Sequence, residues 1–296
     1  MTELISKNAL IVNKLVEALD KTTKDLIYID PKLIAAEFLT VERAIEQVEL
    51  FKSEVNRFES IDFKGKKFLE IGAGVGTLLI VAREKYGIDS YGIEPSKGEF
   101  SPFSEASDAL LEEYNMPKDI IINGVGENIP FEDERFDFIY STNVLEHVQD
   151  PKKVISESIR VLKTGGYLQF VIPNYFSFWE GHYAMFWPCI TNKFIAKIYV
   201  QLFGRKPDYI NDLQLISPFH IKTILKKFEH NIEILGWGKE TFKKRLIGGN
   251  YSDWASLQKI RPIVSLIQKS GLAALTADLL NLFGMYTPIV LTLKKK

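Results

Sequence analysis

From Leu10 to Phe51 apolar residues recur every three to five positions, as Leu10, Leu15 and Leu19 before Pro31 and Ile34, Phe38, Val41, Ile45, Val48 and Phe51 after it. That period is helical and few breakers interrupt it, so residues 1–60 are expected to form a helical cap. Beyond residue 60, short apolar runs alternate with helical stretches. The pattern predicts strands at Lys67–Ile71, Ser90–Glu94, Ile120–Asn123, Phe136–Ser141 and Tyr167–Ile172, with helices near 75–86, 104–115 and 151–163. Strands that alternate with helices pair in parallel, and the crossover helices cover both sheet faces; the fold class is therefore α/β.

After Pro173 the rhythm breaks. An aromatic segment runs from Asn174 to Pro188, followed by an apolar helical stretch to Phe203 and a turn at Gly204–Pro207. The segment leaves the carboxyl end of the fifth predicted strand, which is where open α/β sheets place their ligands. Regular patterning resumes with a helix at Pro218–Phe228 and a strand at Asn231–Trp237. A second helical insertion, Tyr251–Phe283, precedes a final strand, Thr287–Leu293, and Lys294–Lys296 are expected to be a solvated tail. The predicted organisation is a cap over 1–60, a ligand-binding core over 61–175, an aromatic and helical insertion over 176–215, and a return to the core over 216–296 with helical insertion 251–283.

Chemistry concentrates at Phe68-Leu-Glu-Ile-Gly-Ala-Gly-Val-Gly-Thr77, where an apolar run ends in an acid and three alternating glycines before a helical pattern begins. Gly72, Gly74 and Gly76 permit positive φ and close approach of a ligand to backbone, and the helix start beyond them offers unpaired N–H groups. The next predicted strand ends in Glu94, about twenty residues on, the offset at which a carboxylate accepts hydrogen bonds from ribose hydroxyls. Two details speak against a dinucleotide and an oxidoreductase. The glycines are spaced Gly-x-Gly-x-Gly, and Glu70 places a charge where an ammonium group would be received.

With these residues the chain resembles the class I S-adenosylmethionine-dependent methyltransferases, in particular the subgroup that includes the ubiquinone and menaquinone biosynthetic enzymes. The likeness continues through Asn123–Phe131, Phe136–Val148 and Arg160–Asn174, in the family's order. It implies a Rossmann-like, seven-stranded, mostly parallel sheet with an antiparallel last strand. It also implies S-adenosyl-L-methionine as cofactor, held at its methionine end by Glu70, Gly72, Ala73, Gly74 and Gly76 and at its ribose by Glu94 and Pro95. Ser141 and Asn143 would complete the site. The subgroup usually carries an Asp at the place of Val125, so backbone at Val125 and Gly126, with Glu127 or Asn128, would have to meet the adenine.

Composition narrows the partner. The formal net charge is −1, and no basic run interleaved with aromatics compensates locally, so nucleic acid is not an expected substrate. Cys189 is the only cysteine, which excludes an intrachain disulfide or a multi-cysteine metal site, and the N-terminus lacks a secretory pattern; a cytoplasmic location is expected. Met185–Phe203 is broken by Lys193 and Lys197, and Ile260–Met285 by Lys269 and Asp278, so neither reads as a membrane span. Both stay apolar enough to touch a membrane surface or a greasy substrate, although such helices ordinarily pack on the core.

Two of the four histidines fall where the acceptor should lie: His147 beyond the fourth strand, and His182 in the aromatic segment beside Glu180. Either could serve as base for a hydroxyl acceptor, while His220 and His230 read as structural. Asn143-Val-Leu-Glu-His147 resembles the Glu-x-x-Glu-His pattern with which small-RNA 2′-O-methyltransferases and some quinone-pathway methyltransferases hold a divalent ion. Asn143 replaces the first acid, so no metal is expected. Tyr175, Trp179, Glu180 and Tyr183 are the candidate acceptor contacts. The leading expectation is O-methylation of a small or amphipathic acceptor: a glycan unit, a lipid-linked intermediate or a quinone-like ring. The alternative is a non-catalytic cofactor-binding protein on the same fold.

Overall fold

A computed structural model describes residues 5–23, 30–96, 101–248 and 259–296. Seven strands form one sheet in the order β3-β2-β1-β4-β5-β9-β8. They are β1 (Lys67–Ile71), β2 (Asp89–Glu94), β3 (Ile121–Asn123), β4 (Phe136–Thr142), β5 (Leu162–Ile172), β8 (Ile232–Gly236) and β9 (Ile289–Lys295). Pairing is parallel from β3 to β5, while β9 runs antiparallel between β5 and β8. The expected antiparallel last strand is present, and it lies inside the sheet.

Alternation along the strands sorts side chains onto two faces. Phe68, Phe138, Tyr140 and Tyr167 join one buried cluster with Leu15, Phe51, Leu79 and Leu110. These come from α1 (Ala9–Thr23), α3 (Val41–Asn56), α4 (Thr77–Tyr86) and α5 (Ser101–Glu113), so the N-terminal cap closes one face of the sheet and shares its core. Leu69, Ile139, Leu168 and Leu291 face the other cluster. There α6 (Pro151–Val161) buries Val154, Ile155 and Ile159, its start fixed by the Asp150 carboxylate, which accepts from the Lys152 and Lys153 N–H groups.

Within the aromatic segment, residues 179–186 form a hairpin of β6 (Trp179–Glu180) and β7 (Met185–Phe186), which the sequence pattern did not announce, and the helical stretch expected after Pro188 is helix α7 (Lys193–Leu202). Its start is set by Asn192, whose side chain accepts from the Phe194 and Ile195 N–H groups. The insertion holds a third cluster around Tyr175, Tyr183, Trp187 and Ile210. The C-terminal insertion becomes α10 (Arg261–Lys269) and α11 (Ala273–Leu282), packed with α9 (Lys239–Gly248); the part of that insertion at 251–258 lies outside the described residues. Lys294–Lys296 are not a loose tail. Lys294 pairs with Glu59 at 2.7 Å, Lys295 Nζ donates to the Leu162 carbonyl, and Lys296 N donates to Asn231 O.

Candidate active site

At the carboxyl end of β1 the chain turns through Gly72, Gly74 and Gly76, with φ of 78°, 55° and 88°. Their constraints differ. A Cβ on Gly72 would clash with Val144 Cγ2, whereas one on Gly74 would make ordinary contact with the Phe38 ring at 3.6 Å. The Gly72 and Ala73 N–H groups donate to Ile93 O, pinning the loop to β2. Gly92 makes that approach possible, since a Cβ there would lie 2.6 Å from Ala73 Cβ. Sequence reasoning passed over Gly92, although a glycine inside a strand is itself a signal of close backbone approach.

Two carboxylates face this loop. Glu94 accepts from Gly74 N–H at 2.9 Å, leaving its other oxygen for a ligand; burial pushes its carboxyl up to about 7, against the lowering effect of that hydrogen bond. Glu70 is 4% exposed and its Oε2 has no hydrogen-bond partner. Burial, followed by the charge of Glu94, holds its carboxyl well above the usual range. A buried, unpartnered acid is costly unless a cation arrives, so the site fits a ligand with an ammonium group near β1 and hydroxyls near β2. S-adenosylmethionine has that arrangement. Glu70, the glycine loop and Glu94 would hold it, and Phe38, at the end of α2 (Pro31–Phe38), lies over the loop.

Beyond β4 a second group of polar side chains gathers. The His182 Nδ1–Glu180 Oε1 distance is 2.6 Å, and Glu180 Oε2 also accepts the Tyr183 N–H at 2.6 Å. His182 Nε2 lies 3.3 Å from His147 Nε2, and the Tyr209 hydroxyl lies 3.5 Å from His147 Nδ1. Burial opposes the His182 imidazolium, but the Glu180 charge and hydrogen bond, and then Glu146, raise it above the ordinary histidine value. His147 moves the other way, lowered by partial burial at the site mouth and then by the charge of His182. Neighbouring Glu146 is fully buried with neither oxygen partnered, and burial pushes its carboxyl up to about 7. Tyr175 also keeps a buried hydroxyl without a partner.

Several predicted contacts take other duties. Ser141 is buried and donates to Ile71 O at 3.1 Å, stitching β4 to β1 rather than reaching a ligand. Glu127 Oε1 accepts from the Gln149 and Asp150 N–H groups, so this carboxylate fixes the approach to α6. Val125 closes a four-residue turn with Asn128 and is exposed, while Gly126 is buried against Val154 and Ile71. Pro95 is half-buried just past β2, where the chain leaves Glu94. Asn143 adopts the left-handed conformation, φ 54°, and its N–H donates to Val171 O as the chain leaves β4, a geometry Asn tolerates better than most residues. Tyr183 is fully buried and donates to Lys206 O, which makes it core of the insertion instead of an acceptor contact. Trp179 is half-buried against the second cluster. Glu180 is buried and holds the His182 ring through its Oε1. His220 is exposed and His230 nearly fully so; neither enters the site.

Comparison with known proteins agrees with this geometry. A family profile described as a methyltransferase domain matches residues 42–229. The chain belongs to that family, the class I S-adenosylmethionine-dependent methyltransferases. Among relatives, norajmaline N-methyltransferase of Rauvolfia serpentina is 34% identical over 110 residues, 37% of each chain. Demethylmenaquinone methyltransferase of Geobacillus is 28% identical over 156 residues, 51% of this chain and 62% of the relative. An uncharacterized protein of Methanocaldococcus jannaschii is 34% identical over 117 residues, 40% of this chain and 49% of its own. The chain thus spans about half or less of the first relatives it matches. Phosphoethanolamine N-methyltransferase 2 of Haemonchus contortus shares the fold, with a TM-score of 0.50 and 17% identity over 94% of this chain and 59% of that one.

Proposed function

We propose that this protein transfers a methyl group from S-adenosylmethionine to a hydroxyl of a small or amphipathic acceptor. The observation that carries the reading is the Glu180–His182 pair, held at 2.6 Å and aimed at His147 beyond the end of β4. The bound cofactor supplies an electrophilic methyl on a sulfonium, whose charge disappears on transfer. A hydroxyl acceptor must lose its proton as the new O–C bond forms, and His182 Nε2 receives it once the ring is neutral. Glu180 fixes the ring orientation and favours the imidazolium that results. His147, kept neutral, positions the acceptor oxygen through a hydrogen bond. Glu70 and Glu94 contribute by orientation alone, which is enough to make an in-line displacement effectively intramolecular. The partly exposed Trp179 supports an acceptor with an apolar body, within the glycan, lipid-linked and quinone-like classes.

The test is a labelled-methyl transfer screen across those three classes, with His182→Ala as control. Transfer to a hydroxyl acceptor that rises with pH supports the reading. Transfer to an amine at undiminished rate in His182→Ala would replace it, and binding of S-adenosylhomocysteine without turnover of any class would favour a non-catalytic binding protein.

One observation favours a second reading. Ligand atoms of Glu146, His147 and His182 all lie within 4.8 Å of one another, and the two Nε2 atoms are spaced as two ligands of one small cation would be. A divalent ion there would activate the acceptor oxygen in place of the histidine base. Loss of activity in chelator, restored by a divalent ion, selects this reading; indifference to chelator selects the base.

A further inference from the structure

In most of the described helices large apolar residues point inward, but in α7, α10 and α11 several point out. Helix α7 buries Ala196 and Val200 and exposes Phe194, Ile195, Ile198 and Leu202, of which Phe194 is 72% and Leu202 78% exposed. Helix α11 buries Ala273 and Ala277 and exposes Leu275, Leu279 and Leu282, the last 75% exposed. The adjoining α10 adds Ile263 and Leu266. Spacings of three, four and seven residues put each set on one helical face, so these are continuous apolar stripes and not scattered surface residues. A helix that shows the core its alanines and the exterior its leucines has its apolar face matched to something outside the chain.

Charge identifies the occupant. Residues 193–207 contain four Lys/Arg and no Asp/Glu, and α10–α11 with the turn between them, residues 261–283, contain Arg261 and Lys269 against Asp278, which Lys243 of α9 pairs at 2.6 Å, in a chain whose net charge is −1. Cations bordering apolar stripes are the pattern of helices that lie in an anionic lipid interface. The helices are nine or ten residues long, and α10 and α11 meet at 116°, so they are too short to cross a hydrocarbon core of about 30 Å and would lie along it.

Both stripes are tied to the candidate active site. Ser177 Oγ donates to Met285 O, and Asn174 Nδ2 donates to Gly284 O and Tyr286 O, anchoring the end of α11 to the segment that leads to Glu180 and His182. On the other side of that segment, Tyr199 of α7 donates to Phe186 O in the hairpin. We infer that α7 and α10–α11 dock this protein on the surface of an anionic membrane, placing the acceptor side of the site against the lipid. The docking deepens the amphipathic-acceptor reading but requires neither acceptor nor turnover.

The test is flotation of the purified full chain with vesicles of phosphatidylcholine alone or mixed with phosphatidylglycerol. The protein should float with the mixed vesicles, leave them at high salt, and ignore phosphatidylcholine alone. The variants Phe194→Ser with Leu202→Ser, and Leu279→Ser with Leu282→Ser, should each lower flotation by about tenfold or more, because several apolar side chains act together. Their melting temperatures and affinity for S-adenosylhomocysteine should equal the parent's, since the replaced side chains are exposed. The proposal is overturned by absence of flotation with mixed vesicles, by equal binding to both compositions, or by a dimer in light scattering that the same substitutions dissolve. Loss of S-adenosylhomocysteine binding in the parent would count against the methyltransferase reading and leave docking to be judged by flotation alone.

Discussion

The two sides of the site hold buried acids in different ways. On the cofactor side Glu70 and Glu94 sit at strand ends, separated by the paired strands β1 and β2, and Glu94 is anchored by the Gly74 N–H. On the acceptor side Glu146 and Glu180 come from segments more than thirty residues apart, and Glu180 is anchored by an imidazole and by the Tyr183 N–H. The first arrangement offers two fixed carboxyl groups whose ionised form a cationic, hydroxyl-bearing ligand would favour. The second couples an anion to a titratable ring, so it can take up and release a proton. The first pair is placed by the sheet, and the second by an insertion that the sheet merely carries.

The sharpest way to separate the two sides is His182→Ala. Loss of a general base should cut kcat by about 10²- to 10⁴-fold and leave S-adenosylhomocysteine affinity unchanged by calorimetry. The parent's rate should rise with pH through a value above the ordinary 6.5, because His182 is shifted upward and is a base only when neutral. A pH-independent rate, or a variant that turns over normally, would erase the functional contrast.

On the other side, Glu94→Ala should weaken S-adenosylhomocysteine binding by about 1.5–3 kcal/mol, the worth of hydrogen bonds to a charged acceptor, with kcat at saturating cofactor much less affected. Unchanged affinity would remove Glu94 from the ligand site.

The ligand-free protein should also reveal the cost of burying that acid. Glu94 has a folded-state pKa raised from 4.5 to about 7. A carboxyl raised in this way contributes stability that is fully present below 4.5 and is lost as pH rises through about 7, because the folded state binds the proton more tightly. Glu94→Gln should therefore gain about 1–3 kcal/mol relative to the parent between pH 5 and pH 8 in thermal melts. Parallel pH profiles for the two proteins would show that the carboxyl is not perturbed.

The smallest effect is expected at Gly74. Gly74→Ala has room for its Cβ and should cost about 1 kcal/mol for the left-handed backbone. Gly72→Ala must also displace Val144, so it should melt earlier than Gly74→Ala. Equal melting temperatures would mean that the loop yields as a unit.

The amino-acid sequence determined the sheet and the cofactor side. Short apolar runs alternating with helical stretches, the glycine turn and the acid about twenty residues later are local signals, and a parallel α/β sheet converts them into a site at its carboxyl edge with little freedom left. Even there, packing decided which glycine is sterically essential, and it turned Ser141 and Glu127 into backbone anchors. Only the tertiary structure decided the acceptor side. His147 and His182 are 35 positions apart, and no period or spacing reports a 3.3 Å approach made by two irregular segments. The same holds for α7 and α11. Their composition reads as ordinary core helix, yet Ala196, Ala273 and Ala277 meet the protein while Leu202, Leu275, Leu279 and Leu282 face outward, because which face of a helix is buried depends on the surfaces left open by neighbours distant in the chain.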